Sequence, residues 1–294
     1  MRVTPPIDRT HMIRAFNKAA AHYETGALIE QAIGNRLLAR LDYIKITPHT
    51  IVDLGCGTGH YLGKLAAYYP QAQLIGIDLA QDMLKIAAAK SSMNTPIRYR
   101  CEDAEQTTLA DHSVDLIFSN LLFQWCNIDA IAAECKRLLK PRGLVLFSSL
   151  GPDTLCELRR CWAKIDNAVH VNHFIDMHHL GDCFMQAQFL DPVMDCEYLT
   201  ATFSDIIDLM YSLKTVGAHN VNMGRHEGLT GKGKLHQLSR HYEAYRDETG
   251  LLPATYEAIY GQAWQVDFTQ QQTTDAAGNV RIPLSRVKKP RARR

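Results

Sequence analysis

The stretch from Ile51 to His60 limits what this chain can fold into more than any other part of its sequence. It reads Ile-Val-Asp-Leu-Gly-Cys-Gly-Thr-Gly-His, so a short aliphatic run is followed by a glycine at every second position. An amphipathic segment begins directly after the last glycine. Glycine has no Cβ and adopts positive φ angles freely, which lets a backbone turn tightly against a ligand. The stretch therefore predicts a strand, a glycine turn and a helix, with a plain structural turn as the alternative.

An acidic residue closes the next apolar run at the spacing that nucleoside-binding folds use. Asp78 follows the run from Leu74 to Ile77 and comes about twenty residues after the glycine turn. A carboxylate at the end of a strand can accept hydrogen bonds from both hydroxyls of a ribose. The glycines form a GxGxG pattern after an acid, which differs from the GxGxxG pattern of dinucleotide-binding folds. We therefore predict a nucleoside cofactor beside this turn.

The run from Asp53 to Gly59 resembles motif I of the class I S-adenosylmethionine-dependent methyltransferases. In that family the acid and the glycine turn hold the amino-acid part of the cofactor, and a later Asp meets the adenine amino group. The loop from Arg98 to Ala104 resembles the segment that carries this Asp. The resemblance implies S-adenosyl-L-methionine as cofactor, S-adenosyl-L-homocysteine as product, and no metal. The residues that it assigns to the cofactor are Asp53, Gly55, Cys56, Gly57, Gly59, Asp78, Leu79, Asp103, Ala104, Asn120 and Trp125.

Hydrophobic periodicity after the glycine turn alternates between helices and strands. Helices are predicted at residues 58–69, 80–90 and 128–139, and strands at residues 73–77, 97–101, 114–118 and 143–149. This alternation predicts an α/β fold, in which helices cover both faces of a parallel sheet. Ligands bind such sheets beyond the carboxyl ends of the strands. Asp78, Asp103 and Asn120 all fall at that edge, as does the glycine turn.

The second half of the chain predicts the remaining elements of the sheet. Helices are expected at residues 177–187, 204–215 and 231–247, and strands at residues 193–201 and 254–264. The class I methyltransferase resemblance implies a Rossmann-like sheet of seven strands that is mostly parallel, with an antiparallel last strand. The two helices between the last two strands are then an insertion over the cofactor edge.

Four segments divide the chain in this interpretation. Residues 1–49 form a helical leader, residues 50–150 the cofactor-binding core, residues 151–268 a substrate-side half with the insertion, and residues 269–294 a polar linker with a basic tail. The leader carries Phe16 and Tyr23 in an F-x-x-A-A-x-x-Y pattern, which is similar to leaders that fold over the cofactor pocket as a lid. In the tail, Val280, Ile282 and Leu284 alternate as in an edge strand.

Charge and composition exclude several classes of partner. The chain has 294 residues and a net charge of +1, so no overall field attracts nucleic acid or a membrane surface. No apolar run approaches the roughly eighteen residues of a membrane span, and the first residues lack the apolar core of a secretory signal. The eight cysteines contain no CxxC pair, which is typical of a reduced, cytoplasmic protein. No companion ligands at metal-binding spacing accompany His170, His173, His178 and His179, so we expect no metal.

Three blocks in the second half resemble a narrower family. Together with the leader, they resemble the malonyl-acyl-carrier-protein O-methyltransferases of biotin biosynthesis; the blocks are Phe147 to Leu158, Ser212 to Ala218 and Leu252 to Gly261. The resemblance implies methyl transfer to the free carboxylate of a malonyl thioester on its carrier protein, giving the methyl ester that primes pimeloyl synthesis. Carrier proteins are acidic, so we expect docking on the basic insertion between Lys214 and Arg246.

The implied acceptor determines which catalytic groups to expect. A malonyl carboxylate is already ionised at neutral pH, so the reaction needs no general base. The protein has to hold the carboxylate in line with the methyl donor, which a cation or a hydrogen-bond donor can do. Tyr23, Arg159 and Lys214 are the candidates for this positioning role.

Three other functions stay open. The leader, the glycine turn and residues 151–158 are also similar to an assembly factor of respiratory complex I that resembles protein-arginine-modifying methyltransferases. A carboxyl methyltransferase for small molecules would share the fold and would not need the basic insertion. A scaffold that binds the cofactor without turnover would keep the same cofactor residues.

Overall fold

One sheet of seven strands runs through the centre of the computed structural model, which describes residues 7–90, 96–225, 228, 230–266, 273–274 and 280–281. Its strands are β1 Thr50–Leu54, β2 Gln73–Asp78, β3 Ile97–Cys101, β4 Val114–Ser119, β5 Leu139–Leu150, β6 Leu190–Phe203 and β7 Leu252–Trp264. Their spatial order is β3-β2-β1-β4-β5-β7-β6. β1 to β5 pair in parallel, and β7 runs antiparallel to both β5 and β6. The predicted class I methyltransferase sheet is confirmed.

Helices cover the faces and the carboxyl edge of this sheet. Those of the first half are α1 Arg9–Ala19, α2 Tyr23–Gly26, α3 Leu28–Ala39, α4 His60–Tyr68, α5 Gln81–Lys90 and α6 Ile128–Leu138. Those of the second half are α7 Cys156–Trp162, α8 Met177–Gln186, α9 Ile206–Thr215 and α10 Lys232–Tyr242. Along the chain α9 and α10 lie between β6 and β7, as the predicted insertion requires. Within the described ranges, none of the helices has both the length and the apolar character needed to cross a bilayer.

Apolar side chains on both faces explain why the strands assemble in this way. Val52 and Ile77 belong to a core that α6 and α8 cover, and Ile51 and Leu116 belong to a second core that α3 and α4 cover. All four side chains are fully buried. A strand buried on both faces reads as a near-continuous apolar run, so the sequence pattern located these strands well.

The end of α10 differs from its prediction for a local reason. The helix ends at Tyr242, although periodicity continues to residue 247. Beyond it, the Asp247 side chain accepts hydrogen bonds from the backbone N–H groups of Thr249 and Leu251. An aspartate that binds backbone two residues ahead favours a turn, and this turn directs the chain into β7.

The predicted strand in the tail lies partly within the described residues. β8 Thr273–Thr274 and β9 Val280–Arg281 pair antiparallel in a separate two-stranded sheet. Val280 therefore pairs with a neighbouring part of the tail and not with the edge of the seven-stranded sheet. Ile282 and Leu284 lie outside the described residues.

Hydrogen bonds join the leader to the insertion. The backbone N–H of Asp8 donates to the Val221 carbonyl at 2.8 Å, and the Arg225 guanidinium donates to the Asp8 carboxylate at 2.9 Å. Gly217, just after α9, has a φ of 73°, and a Cβ there would lie 3.1 Å from the Phe16 ring. Both the backbone conformation and the close approach favour glycine at this position. The leader and the insertion thus form one wall beside the carboxyl edge of the sheet.

Candidate active site

The glycine turn joins β1 to α4 with the conformation that its sequence predicts. Gly55, Gly57 and Gly59 have φ angles of 72°, 52° and 76°. Gly55 and Gly57 line a cleft beyond the end of β1, and a Cβ on Gly57 would have no protein atom within 4 Å. The backbone is therefore bare where a ligand can approach it. α4 begins at His60 rather than Thr58, because the left-handed Gly59 occupies its N-cap.

The cleft consists of two adjacent compartments. They share the wall residues Tyr23, Gly55, Gly57 and Asn120. The first compartment is also lined by Asp78, Leu79, Asp103, Ala104 and Trp125, and by Arg9, Ile13 and Phe16 of the leader. The second is also lined by Asp53 and Cys56, and by Glu24 and Glu30 of the leader. Every cofactor residue predicted from the sequence lies on this cleft except Gly59, which faces α5, where its Cβ would be 3.0 Å from that of Ala87.

Asp78 ends β2 with both carboxylate oxygens directed at backbone N–H groups. One oxygen accepts a hydrogen bond from Gly57 and the other accepts one from Ala80, each at 2.8 Å. Burial raises the pKa of this carboxyl, and the two hydrogen bonds oppose the rise. Each carboxylate oxygen can accept a further bond, so the predicted contact with a ribose is compatible with this geometry.

A leader arginine reaches the residue that is predicted to meet adenine. Arg9 of α1 donates to the Asp103 carboxylate at 2.7 Å and lies 3.6 Å from the Glu105 carboxylate. Arg9 and Asp103 both line the first compartment. Sequence reasoning missed Arg9, because its partner is 94 residues away and no local pattern connects the two.

Carboxyl groups dominate the second compartment. Asp53, at the end of β1, is buried, and desolvation raises its pKa well above the ordinary value. Burial raises the pKa of Glu30, on α3, to about 7. Glu24, on α2, pairs with Lys90 at the outer side of the compartment. A space with this many carboxyl groups suits a cationic part of a ligand.

Glu30 is a second residue that sequence reasoning missed. It follows Leu28 and Ile29 in the first turn of α3, where an acid is also explained by the helix dipole. Its backbone carbonyl accepts a hydrogen bond from the Asn120 side chain at 3.1 Å. The one sequence signal that could have identified Glu30 is the presence of an acidic residue within a helix of apolar periodicity.

The segment after β4 forms the wall between the two compartments. The Asn120 side chain also accepts a hydrogen bond from the Ser148 hydroxyl at 2.7 Å, so β5 and the leader both hold it. Trp125 packs edge to face against Phe16, with ring centroids 5.4 Å apart. The leader thus covers Asn120 and Trp125, which the sequence analysis predicted to lie just after β4.

Two of the three predicted positioning residues lie away from the cleft. The Arg159 guanidinium donates to the backbone carbonyls of Pro152 at 2.7 Å and Thr154 at 2.9 Å, so it stabilises the turn after β5. Lys214 is exposed on α9 and lines neither compartment. The geometry therefore does not support a contact between either cation and a reacting group in the cleft, and Tyr23 is the candidate that it brings there.

Two of the three blocks that carry the narrower resemblance contact each other. The Glu257 side chain of β7 accepts a hydrogen bond from the Asp153 backbone at 2.7 Å, and the Leu155 backbone donates to the Thr255 carbonyl at 2.7 Å. A Cβ on Gly151 would lie 2.2 Å from the Glu257 carboxyl carbon. Residues 147–158 and 252–261 therefore form one structural unit beyond the end of β5.

Two of the four histidines between residues 170 and 179 have carboxylate partners. His170 lies 2.7 Å from the Asp166 carboxylate, and its ring stacks on Trp162 at 3.8 Å. His178 lies 3.0 Å from the Asp176 carboxylate at the start of α8. In the part of the chain that the structure describes, no group of three or more His, Cys, Asp or Glu side chains is arranged to hold a metal ion.

Comparison with solved structures agrees with the fold. Residues 52–147 match the methyltransferase domain family. A putative methyltransferase from Bacillus halodurans superposes with a TM-score of 0.57 at 16% identity, covering 79% of this chain and 100% of that one. The YcgJ protein from Bacillus subtilis superposes with a TM-score of 0.54 at 18% identity, covering 78% of this chain and 97% of that one. At these identities the likeness shows the fold alone.

Curated relatives give the narrower family. The malonyl-[acyl-carrier protein] O-methyltransferase of Methylovorus sp. is 45% identical over 266 residues, covering 88% of this chain and 90% of that protein. The enzyme of the same name from Gallionella capsiferriformans is 44% identical, covering 88% and 91%. That from Legionella pneumophila is 39% identical, covering 94% and 96%. This chain therefore belongs to the malonyl-[acyl-carrier protein] O-methyltransferase family.

Proposed function

We propose that this protein transfers a methyl group from S-adenosylmethionine to the free carboxylate of a malonyl thioester on acyl carrier protein. The observation that carries the proposal is the two-compartment cleft, which gathers Asp53, Asp78, Asp103 and Asn120 at the carboxyl edge of the sheet. Relatives that match over about nine tenths of their length are named for this activity, which supports malonyl carrier protein as the methyl acceptor. The methyl ester then serves the biotin pathway, as the sequence resemblance implies.

The residues of the cleft fit the proposed cofactor. Asp78 would hold the ribose and Asp103 the adenine in the first compartment, where Trp125 offers apolar surface. Asp53 and Glu30 in the second compartment would face the cationic end of the cofactor. When bound, S-adenosylmethionine supplies a methyl group on a sulfonium, which makes a neutral thioether the leaving group.

The side chains of the protein act by binding, orientation and exclusion of water. An ionised malonyl carboxylate is already the nucleophile, so no residue has to remove a proton from it. Catalysis then depends on holding the carboxylate oxygen in line with the methyl group. Tyr23 is the proposed positioning residue, because it lines both compartments and its phenol can donate a hydrogen bond. Burial raises the pKa of Tyr23, which keeps that donor protonated.

The leader is proposed to move when the cofactor enters the cleft. The two compartments leave about 80 and 40 Å³ of free space. Small-molecule pockets usually enclose ~300 to 1,000 Å³, and a nucleoside cofactor needs a space of that order. Phe16 and Tyr23 both belong to the walls that restrict the cleft. This supports the lid that the leader sequence predicts, with α1 and α2 opening to admit the cofactor and closing over it.

We propose that the carrier protein docks on the basic insertion, through fewer cations than its sequence suggests. Lys234 pairs with Asp166 and Arg246 pairs with Glu243, each at 2.7 Å, so these two cations already serve the fold. Among the described residues of the insertion, the exposed cations without an ion-pair partner are Lys214, Lys232 and Arg240. Positive groups of this kind attract an acidic partner and orient its approach.

Treatment of the methylated product with base tests which chemical group has accepted the methyl group. We expect label from methyl-labelled S-adenosylmethionine to appear on malonyl-loaded carrier protein and to leave as methanol at alkaline pH. The carboxyl groups of the second compartment would also bind the guanidinium group of an arginine substrate. The geometry of the cleft is therefore also compatible with the arginine-modifying alternative. Label that resists base treatment would favour that alternative and contradict the proposed carboxylate acceptor.

A further inference from the structure

One ring nitrogen of His60, at the wall of the second compartment, is buried without a partner. Among the described residues, the buried side-chain nitrogen and oxygen atoms that make no hydrogen bond are Nε2 of His60 and Nε of Arg40. His60 lines the cofactor cleft, and Arg40 does not. A buried polar atom that stays unpaired costs free energy, so nearly all such atoms in native structures have a partner. A ligand in the second compartment can supply the partner of His60.

The local sequence places His60 at the start of a helix. It follows Gly59 directly and is the first of the nine residues of α4. The first backbone N–H groups of a helix have no partner within the helix, and no side chain caps those of α4. This end of a helix also carries a partial positive charge. His60 thus combines a ring nitrogen with a helix start, and the combination favours an anionic group.

Other polar side chains around His60 are already occupied. The Thr58 hydroxyl donates to the Glu24 carboxylate at 2.7 Å, and the Lys90 ammonium pairs with the same carboxylate. Lys90 also lies 3.2 Å from the Thr58 carbonyl. The Tyr61 hydroxyl donates to a backbone carbonyl of α3 at 2.9 Å. These side chains hold the leader against the glycine turn, whereas Nε2 of His60 holds nothing within the described residues.

The charges near His60 do not repel an anion. Burial first, and then the charge of Lys64, lower the pKa of His60; Lys90 acts in the same direction and Glu24 in the opposite one. The charges that act on the ring are therefore those of two cations and one anion. The anion, Glu24, is already paired with Lys90. A neutral imidazole keeps one N–H group, which donates a hydrogen bond when it is on Nε2.

The second compartment contains groups for both charges of an amino acid. Asp53, at the end of β1, and Glu30, on α3, supply carboxyl groups. His60 and the start of α4 supply N–H groups. An amino-acid group carries an ammonium and a carboxylate on one carbon, so its site needs acceptors for the first and donors for the second. Carboxyl groups alone would leave the carboxylate of the ligand without a donor.

We propose that Nε2 of His60 donates a hydrogen bond to the carboxylate of the amino-acid part of the cofactor. This inference rests on S-adenosylmethionine as the cofactor of the proposed function. The ammonium group of the cofactor then faces Asp53 and Glu30. The glycines of the turn let the backbone approach the cofactor, and His60 recognises its negatively charged group. His60 is absent from the residues that the sequence resemblance assigns to the cofactor.

His60→Phe tests this contact, because phenylalanine keeps a ring of similar size and has no donor. Two ligands are compared by titration calorimetry: S-adenosylmethionine and its decarboxylated form, which keeps the nucleoside, the sulfonium and the ammonium. We expect the variant to bind S-adenosylmethionine roughly tenfold more weakly than the wild-type protein. Its affinity for the decarboxylated form stays at the wild-type value. His49→Phe, at an exposed histidine outside the cleft, is the matched control and changes neither affinity.

His60→Gln tests the chemical nature of the contact. The side-chain amide of glutamine can donate a hydrogen bond, so this variant recovers most of the affinity for S-adenosylmethionine and stays within about threefold of the wild type. A role of His60 in shaping the glycine turn would not depend on the carboxylate of the ligand. If His60→Phe does not fold, His60→Leu, which also lacks a donor, decides by the same comparison of the two ligands.

The outcomes separate this inference from the proposed function. Unchanged affinity for S-adenosylmethionine in His60→Phe would overturn the contact, and so would an equal loss of affinity for both ligands. No methyl acceptor is present in these titrations. A wild-type protein that binds S-adenosylmethionine and methylates no malonyl thioester therefore contradicts the proposed function, while the selective loss in His60→Phe still supports the contact.

Discussion

Asp78→Ala is expected to bind S-adenosylmethionine on the order of 100-fold more weakly than the wild-type protein. Its carboxylate is proposed to accept hydrogen bonds from two ribose hydroxyls, and a bond to a charged acceptor contributes about 1.5–3 kcal/mol. The carboxylate also accepts bonds from the backbone N–H groups of Gly57 and Ala80, which lose this partner in the variant. Titration calorimetry measures the change in affinity directly.

A matched control for Asp78→Ala lies at the start of α5. Asp82 pairs with Lys85 at 2.6 Å on the surface and lines neither compartment, so Asp82→Ala keeps the wild-type affinity. The circular dichroism spectra of both variants are compared with that of the wild-type protein. An Asp78→Ala protein that is folded and binds the cofactor as tightly as the wild type would falsify the ribose assignment.

Glu30→Gln is expected to stabilise the ligand-free protein above pH 7 relative to the wild type. Burial raises the pKa of Glu30 from 4.5 to about 7. A carboxyl group with a raised pKa favours folding at low pH, and this contribution is lost as the pH rises from 4.5 through 7. Glutamine has no such ionisation, so the stability of the variant relative to the wild type rises by roughly 3 kcal/mol between acidic and mildly alkaline pH. Tyr23, Asp53 and Tyr61, which line the second compartment together with Glu30, are the same in both proteins.

Glu24→Gln provides a control of opposite sign in the same compartment. Although burial opposes the effect, hydrogen bonds from Lys90 and Thr58 lower the pKa of Glu24. Its contribution to stability is therefore present at neutral pH and lost as the pH falls through its folded pKa, so Glu24→Gln destabilises near pH 7. Urea unfolding at several pH values measures both variants. A Glu30→Gln advantage that does not grow with pH contradicts the enclosure of that carboxyl.

Most of the fold could be predicted because its strongest signals are local. Ile51, Val52, Leu116 and Ile117 are fully buried, and strands buried on both faces leave continuous apolar runs in the sequence. Parallel strands place their carboxyl ends at one edge, so acids at strand ends predict one cleft from residues far apart in the chain. For this reason the residues that the sequence predicts to bind the cofactor, except Gly59, all line this one cleft.

The contacts between distant segments could not be predicted in the same way. Arg9 reaches Asp103 only because α1 folds back over the loop after β3, and Glu30 faces the cleft only because α3 lies against the end of β4. Arg159 was selected for its charge, yet its guanidinium binds carbonyls five and seven residues away. A cation in a sequence does not indicate whether it binds a ligand or its own backbone.

Intact-mass spectrometry of the carrier protein tests the central claim most directly. Malonyl-loaded carrier protein is incubated with this protein and S-adenosylmethionine, and acetyl-loaded carrier protein is the matched substrate without a free carboxylate. We predict a gain of one methyl mass on the malonyl-loaded carrier and no gain on the acetyl-loaded carrier. No gain on the malonyl-loaded carrier, from a protein that binds the cofactor in calorimetry, would contradict the proposed methyl transfer.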